Sequence, residues 1–294
     1  MRPVLPSSPF PPDAVSSDAP IGVFDSGVGG LSVLHHIRAQ LPHEHLIYVA
    51  DSGHAPYGGK TEQFVAERAL AITAFLVARG AKALVVACNT ATIAAIKAVR
   101  AHYPLLPVVG VEPGLKPAAA ATHSGTVGVL ATQRTLTGEK FLLLREQIGA
   151  ATGTMFLLQP CIGLVDQIEL GDLGDDAGGP TCALLRRYVA PLLAQGADTL
   201  VLGCTHYPFV RPAIARVIAE QRALHGFGDI GLIDTGDAVA RQLVRLLDGA
   251  QLLRSADPAA PPQLQGCTTA GAPALAAAFG KLLGIAPPVE TLTI

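Results

Sequence analysis

The chain has 294 residues, of which half are hydrophobic and 15% charged, with no tryptophan and a net charge of −2. This suits a compact globule of one large or two smaller domains. Twenty-one basic residues stand against twenty-three acidic ones without a Lys/Arg block, which argues against nucleic acid and anionic membranes and for a small-molecule partner. No apolar run reaches the roughly 18 to 20 residues that span a bilayer, so a cytoplasmic protein without membrane association is expected.

The opening "MRPVLPSSPFPPDAVSSDAP" lacks the apolar core of a secretion signal and reads as a flexible extension over residues 1–20. From Pro20 onward, short apolar runs alternate with helical patterns. "IGVFDSG" precedes "GLSVLHHIRAQL", "HLIYVADSG" precedes "TEQFVAERALAITAFLVARG", and "ALVVACN" precedes "TIAAIKAVRAHY", followed by "PVVGVEP". Strands that are apolar throughout belong in parallel sheets covered on both faces. After "GLKPAAAATHSG" the alternation restarts with "TVGVLAT", "EKFLLLREQIGA", "TMFLLQPC", "CALLRRYVAPLLAQG", "DTLVLGCT" and "GLIDTG". The predicted fold is α/β, with two doubly wound parallel-sheet domains facing each other across a cleft. The first comprises residues 21–115 plus 233–294, and the second residues 116–232. Ligands of such sheets bind beyond the carboxyl ends of the strands.

Several polar clusters fall at those ends. "VFDSGVGGLSVL" places Asp25, Ser26 and three glycines between a strand and a helix. Its glycines run G-x-G-G, with Ser32 where a dinucleotide fingerprint needs its last Gly. Asp51 stands where a ribose contact would be, which keeps that reading open. Asp25 at a helix N-terminus would repel a pyrophosphate and attract an ammonium group. An aspartyl-phosphate nucleophile and a plain helix cap are the other readings of Asp25. "ADSGHAPYGGKT" adds a Pro-Tyr-Gly-Gly turn that by itself is a loop.

The five cysteines, Cys88, Cys161, Cys182, Cys204 and Cys267, contain no C-x-x-C pair, and no disulfide framework is expected. Cys182 and Cys267 read as small buried hydrophobes. Cys88-Asn89-Thr90 and Cys204-Thr205-His206 each follow an apolar strand and lead toward a helix, a setting expected to lower the thiol pKa. Two thiols facing each other across one cleft suit stereoinversion, in which one face of a carbon loses a proton and the other gains one. Zinc would need a fuller ligand set than Cys204-x-His206, so no metal is expected.

"GVFDSGVGGLSVL", "PYG", "ACNTAT", "VGVLATQRT", "LGCTHYP" and "IDTGDAVA", in this order between about Ile21 and Asp237, resemble the glutamate racemases of the cofactor-independent aspartate/glutamate racemase superfamily. The resemblance implies interconversion of L- and D-glutamate without pyridoxal phosphate or another cofactor, supplying D-glutamate for peptidoglycan and hence for the cell wall and cell shape. It makes Cys88 and Cys204 the two proton carriers, assisted by Asp25 and His206. It makes Asp25, Ser26, Tyr57, Gly58, Asn89, Thr90, Thr205 and His206 the substrate-binding residues. Glu169 matches a further acidic helper, with Asp166 as its competitor. Where other members commonly read "DTAR" before Pro-Tyr-Gly, this chain has His54. Aspartate and hydantoin racemases share the paired cysteines. A racemase of another substrate, a small-acid binding protein and a nucleotide-dependent oxidoreductase are therefore the alternatives. Homodimers are common in the resembled family, and apolar surface helices would permit one here.

Overall fold

The computed structural model describes residues 16–257 and 259–294. In chain order it contains β1 (Ile21–Asp25), α1 (Leu31–Gln40), β2 (Leu46–Ala50), α2 (Glu62–Ala78), β3 (Ala83–Val86), α3 (Asn89–His102) and β4 (Val108–Gly110). Next come α4 (Leu115–Ala121), β5 (Thr126–Ala131), α5 (Gln133–Thr137), α6 (Glu139–Thr152), β6 (Met155–Pro160), α7 (Leu164–Glu169) and α8 (Pro180–Ala194). The chain finishes with β7 (Thr199–Gly203), α9 (Arg211–His225), β8 (Gly231–Ile233), α10 (Gly236–Gly249), β9 (Leu264–Thr268), α11 (Ala272–Leu283) and β10 (Val289–Thr291). The strands form two parallel sheets, ordered β10-β9-β2-β1-β3-β4 and β6-β5-β7-β8.

Each sheet is buried on both faces, as its continuous apolar strands demand. In the first sheet, Ile21, Val23 and Val85 pack with Leu34 of α1, Leu243 of α10 and Phe279 of α11. Phe24, Leu84 and Val86 point the other way, toward Ile72 of α2 and Ala95 of α3. In the second sheet, Leu130, Leu200 and Leu202 join Leu185 of α8 and Ile214 of α9, while Val127, Val129 and Val201 join Leu115 of α4 and Phe141 of α6. Cys182 and Cys267 are fully buried members of these cores.

The two sheets share one plan. β1 lies between β2 and β3, and β5 lies between β6 and β7. The chain leaves the central strand to one side and then to the other, which opens a crevice at the carboxyl ends of the central pair. Cys88 follows β3 and Cys204 follows β7, so the repeated sequence "LVVAC" and "LVLGC" marks topologically equivalent positions.

Beyond the two sheets expected from the sequence, β9 and β10 extend the first sheet past β2. "LQGCT" has no continuous apolar run, and its Gly266 leaves room for the Phe279 ring, which a Cβ would meet at 2.7 Å. Residues 1–15 of the expected extension lie outside the described residues. Ser17 and Asp18 are tied to the first sheet: Lys82 Nζ donates to the Ser17 carbonyl at 2.5 Å and Arg254 Nε to Asp18 at 2.5 Å. No helix among the described residues is long and apolar enough to cross a membrane.

Candidate active site

At the end of β1 the Asp25 side chain is fully buried and works as the cap of its own loop. Its Oδ1 accepts from the Ser26 N–H at 2.7 Å and the Ser26 hydroxyl at 3.3 Å. Its Oδ2 accepts from the Gly30 N–H at 2.5 Å and, from the other sheet, from the Thr205 hydroxyl at 3.2 Å. The glycine loop is thus folded around a carboxylate, which takes up the Ser26 and Gly30 amides and would repel a phosphate. Burial raises the Asp25 carboxyl above its ordinary 3.8, opposed by His206, Cys88 and the Ser26 amide.

Cys88 is the N-cap of α3 and accepts from the Ala91 N–H at 3.5 Å, while its Sγ lies 3.9 Å from Ser26 Oγ. The helix end was expected to lower this thiol. Burial, reinforced by the Asp25 charge, instead pushes it well above 9.0, and the Ala91 amide offsets only part of that. The next residue, Asn89, is 4% exposed, and its Oδ1 is buried without a hydrogen-bond partner.

On the opposite side Cys204 Sγ lies 3.6 Å from His206 Nδ1, and His206 Nε2 lies 2.6 Å from Glu169 Oε1. The same Glu169 oxygen accepts the Val28 N–H at 2.9 Å, bridging α7 to the loop after β1. Burial by itself depresses His206, but its contacts with Cys204 and Glu169 hold it well above 6.5. Glu169 is raised by burial and brought below 4.5 by His206 and the Val28 amide, so the balance favours an ion pair. Asp166, three residues earlier on α7, is exposed.

The glycines of "DSGVGG" make this closeness possible. A Cβ on Gly27 would come within 1.9 Å of Glu169 Oε1, and one on Gly29 within 2.3 Å of His206 Nδ1.

Ser26, Tyr57, Gly58, Cys88, Asn89, Thr90, Cys204, Thr205 and His206 line one shared cavity of about 20 Å³, room for about one water. Asp25 and Glu169 stand behind it. Pro56 of the Pro-Tyr-Gly-Gly turn completes the wall, with Thr132 and Val165, which were not singled out in the sequence. Thr132 follows β5 as Cys204 follows β7, and that strand-end position in "VGVLATQRT" was the available clue. Its hydroxyl lies 3.1 Å from that of Thr90, joining the two units.

Tyr57 lines the cavity with its ring, while its hydroxyl donates to Asp51 at 2.5 Å. Asp51 also receives Arg68 and Thr269, which leaves no room for the ribose contact considered above. Among the described residues no group of three or more His, Cys, Asp or Glu side chains is placed to hold a metal ion.

Two parallel-sheet α/β units that meet at their strand ends, each bringing a thiol to one cavity, define a two-domain protein with a paired-cysteine site. Known proteins place it more narrowly. A sequence model of the Asp/Glu/Hydantoin racemase family matches residues 21–243, and the chain belongs to that family. It is 56% identical over 237 residues to a glutamate racemase of Ectopseudomonas mendocina, covering 81% of this chain and 85% of the relative. The fold is similar to the crystal structure of Escherichia coli glutamate racemase in complex with L-glutamate and the activator UDP-MurNAc-ala, with a TM-score of 0.77, 33% identity and coverage of 94% and 98%. It is also similar to a Francisella tularensis glutamate racemase in complex with D-glutamate, with a TM-score of 0.79, 26% identity and coverage of 94% and 98%.

Proposed function

We propose that this protein is a glutamate racemase that interconverts L- and D-glutamate by two-base proton transfer, supplying D-glutamate for peptidoglycan in the cytoplasm. The observation that carries the reading is the shared cavity lined by Cys88 and Cys204 from equivalent strand ends. One sulfur, as thiolate, takes the α-proton from one face of the substrate carbon, and the opposite thiol delivers its proton to the other face. The reverse reaction exchanges these roles. Relatives bound to L-glutamate and to D-glutamate support this choice of substrate.

The two thiols are served by different partners. Asp25, linked to Cys88 through the Ser26 hydroxyl, would carry its proton, and the His206–Glu169 pair would do the same for Cys204. Held as an imidazolium by Glu169 at Nε2, His206 keeps its Nδ1 proton toward Cys204 and stabilises the thiolate form of that sulfur. Asn89 Oδ1 would accept the substrate ammonium, and Thr90, Thr205 and Gly58 would hold its carboxylates. Tyr57 would contribute its ring. Closure around the substrate excludes water, which strengthens the fixed dipoles that stabilise the developing carbanion. A cavity of about 20 Å³ is too small for an amino acid, so substrate entry requires the units to separate. Residues 21–115 with 233–294 on one side and residues 116–232 on the other are the bodies proposed to move.

Incubation with each enantiomer in heavy water tests the reading. The expected result is the opposite enantiomer carrying deuterium at Cα, with Cys88→Ser and Cys204→Ser each slowed about 10³-fold or more, the scale of positioned acid–base catalysis. Glutamate binding without α-deuterium uptake would replace the racemase by a binding protein.

A further inference from the structure

Asp51 ends the loop-side reach of β2, with no exposed side-chain surface. Four side chains make five contacts with its two oxygens. Arg68 of α2 donates through Nε to Oδ2 at 2.9 Å and through Nη2 to Oδ1 at 2.8 Å, a two-point ion pair. The Tyr57 hydroxyl donates to Oδ2 at 2.5 Å, the Thr269 hydroxyl to Oδ1 at 2.8 Å, and the His54 ring Nδ1 lies 3.0 Å from Oδ1. The third Arg68 nitrogen donates to the Ile294 carbonyl at 2.7 Å.

Only a carboxylate can accept from so many donors at once, and a buried carboxylate needs a cation held against it. Arg68 is the one cation in two-point contact, and its planar fork fixes the orientation of the carboxylate as well as its charge. That orientation aims Oδ2 at Tyr57. Tyr57 is flanked by Pro56 and Gly58, and these three residues form the cavity wall beside Cys88.

We propose that Arg68 is a positioning residue for the substrate: its two-point grip on Asp51 fixes the Tyr57 hydroxyl, and through it the Pro56–Gly58 wall of the cleft. Arg68 touches neither the cavity nor either thiol, so its effect falls on how well substrate is held and much less on proton transfer. The inference rests on the racemase reading.

The test is a double-mutant cycle on the full-length enzyme with Arg68→Lys, Tyr57→Phe and the pair, measuring kcat and KM for L- and D-glutamate. Lysine keeps the charge and loses the fork. The expected result is a KM raised about tenfold in each single variant, kcat within about twofold of the parent, and a double variant no worse than the weaker single one. Millimolar guanidinium should restore part of the affinity in Arg68→Ala, which a merely structural role would not produce; if that variant does not fold, the lysine cycle decides. Additive effects, or a KM unchanged in Arg68→Lys, would overturn the positioning role. A parent enzyme that exchanges no α-proton would overturn the racemase reading itself, so the two failures are distinguishable.

Discussion

The Thr205 hydroxyl donates to Asp25 Oδ2 at 3.2 Å, joining the strand end that carries Cys204 to the loop that approaches Cys88. The Ser32 hydroxyl, in the first turn of α1, adds a second link by donating to the Thr205 carbonyl at 2.8 Å. A carboxylate that caps its own glycine loop and also receives a donor from the opposite unit is set by closure of the cleft. The opposite unit thus completes the burial of Asp25, and that burial raises its proton affinity, as the proposed role of proton acceptor for Cys88 requires.

Gly27 and Gly29 are required for space, since neither has a left-handed backbone. Gly27→Ala would displace Glu169 Oε1, now 1.9 Å from the added carbon, and Gly29→Ala the His206 ring, 2.3 Å away. Glu169 is 22% exposed and can swing outward, whereas His206 at 2% cannot. Steady-state racemisation should fall moderately in Gly27→Ala and about 10²-fold or more in Gly29→Ala, as expected when a catalytic group moves by an ångström.

The Glu169–His206 pair sets a pH window. Glu169 is held below its ordinary 4.5, so its contribution to stability is present above that value and is lost as pH falls through the lowered folded pKa. His206 is held above 6.5, so its contribution is full below that value and is lost as pH rises through the raised folded pKa. In Glu169→Gln the imidazolium loses its carboxylate, and the alkaline limb of the kcat/KM profile should move to lower pH. A profile identical to the parent's would show that Glu169 does not act through His206.

Asn89 presents a buried carbonyl oxygen without a partner, an arrangement that costs stability unless a ligand donates to it. Asn89→Ala should therefore leave the melting temperature unchanged or raise it, while KM for glutamate rises about tenfold or more for the lost hydrogen bond to a charged group. Thermal unfolding with and without glutamate checks both halves of this expectation.

Lys82 and Glu44 form an ion pair with Nζ and Oε2 2.5 Å apart and side-chain exposures of 0% and 1%. Glu44 Oε1 also accepts the Arg254 N–H at 2.8 Å. Lys82→Ala leaves a buried carboxylate without its cation and should cost about 3–5 kcal/mol in urea unfolding. Replacing both partners, as Lys82→Met with Glu44→Leu, should recover most of that loss because neither charge is then left buried alone.

The sequence by itself determined the parallel-sheet class, the duplicated plan and the strand-end placement of Cys88 and Cys204. Each is carried by local patterns: apolar strands, helical periodicity and a thiol where the two meet. Only the tertiary structure decided that Glu169, and not Asp166, reaches the Val28 amide and the His206 ring. It also decided that Tyr57 turns its hydroxyl toward Asp51 and that Arg68 stands behind both. β9 escaped the reading because "LQGCT" gains its strand geometry from pairing with β2, 218 residues away at Leu46 and Leu264. The direction of the Cys88 shift was hidden for a related reason. Its helix N-terminus is local, but the burial and the Asp25 charge that outweigh it arise only when distant segments close around the thiol.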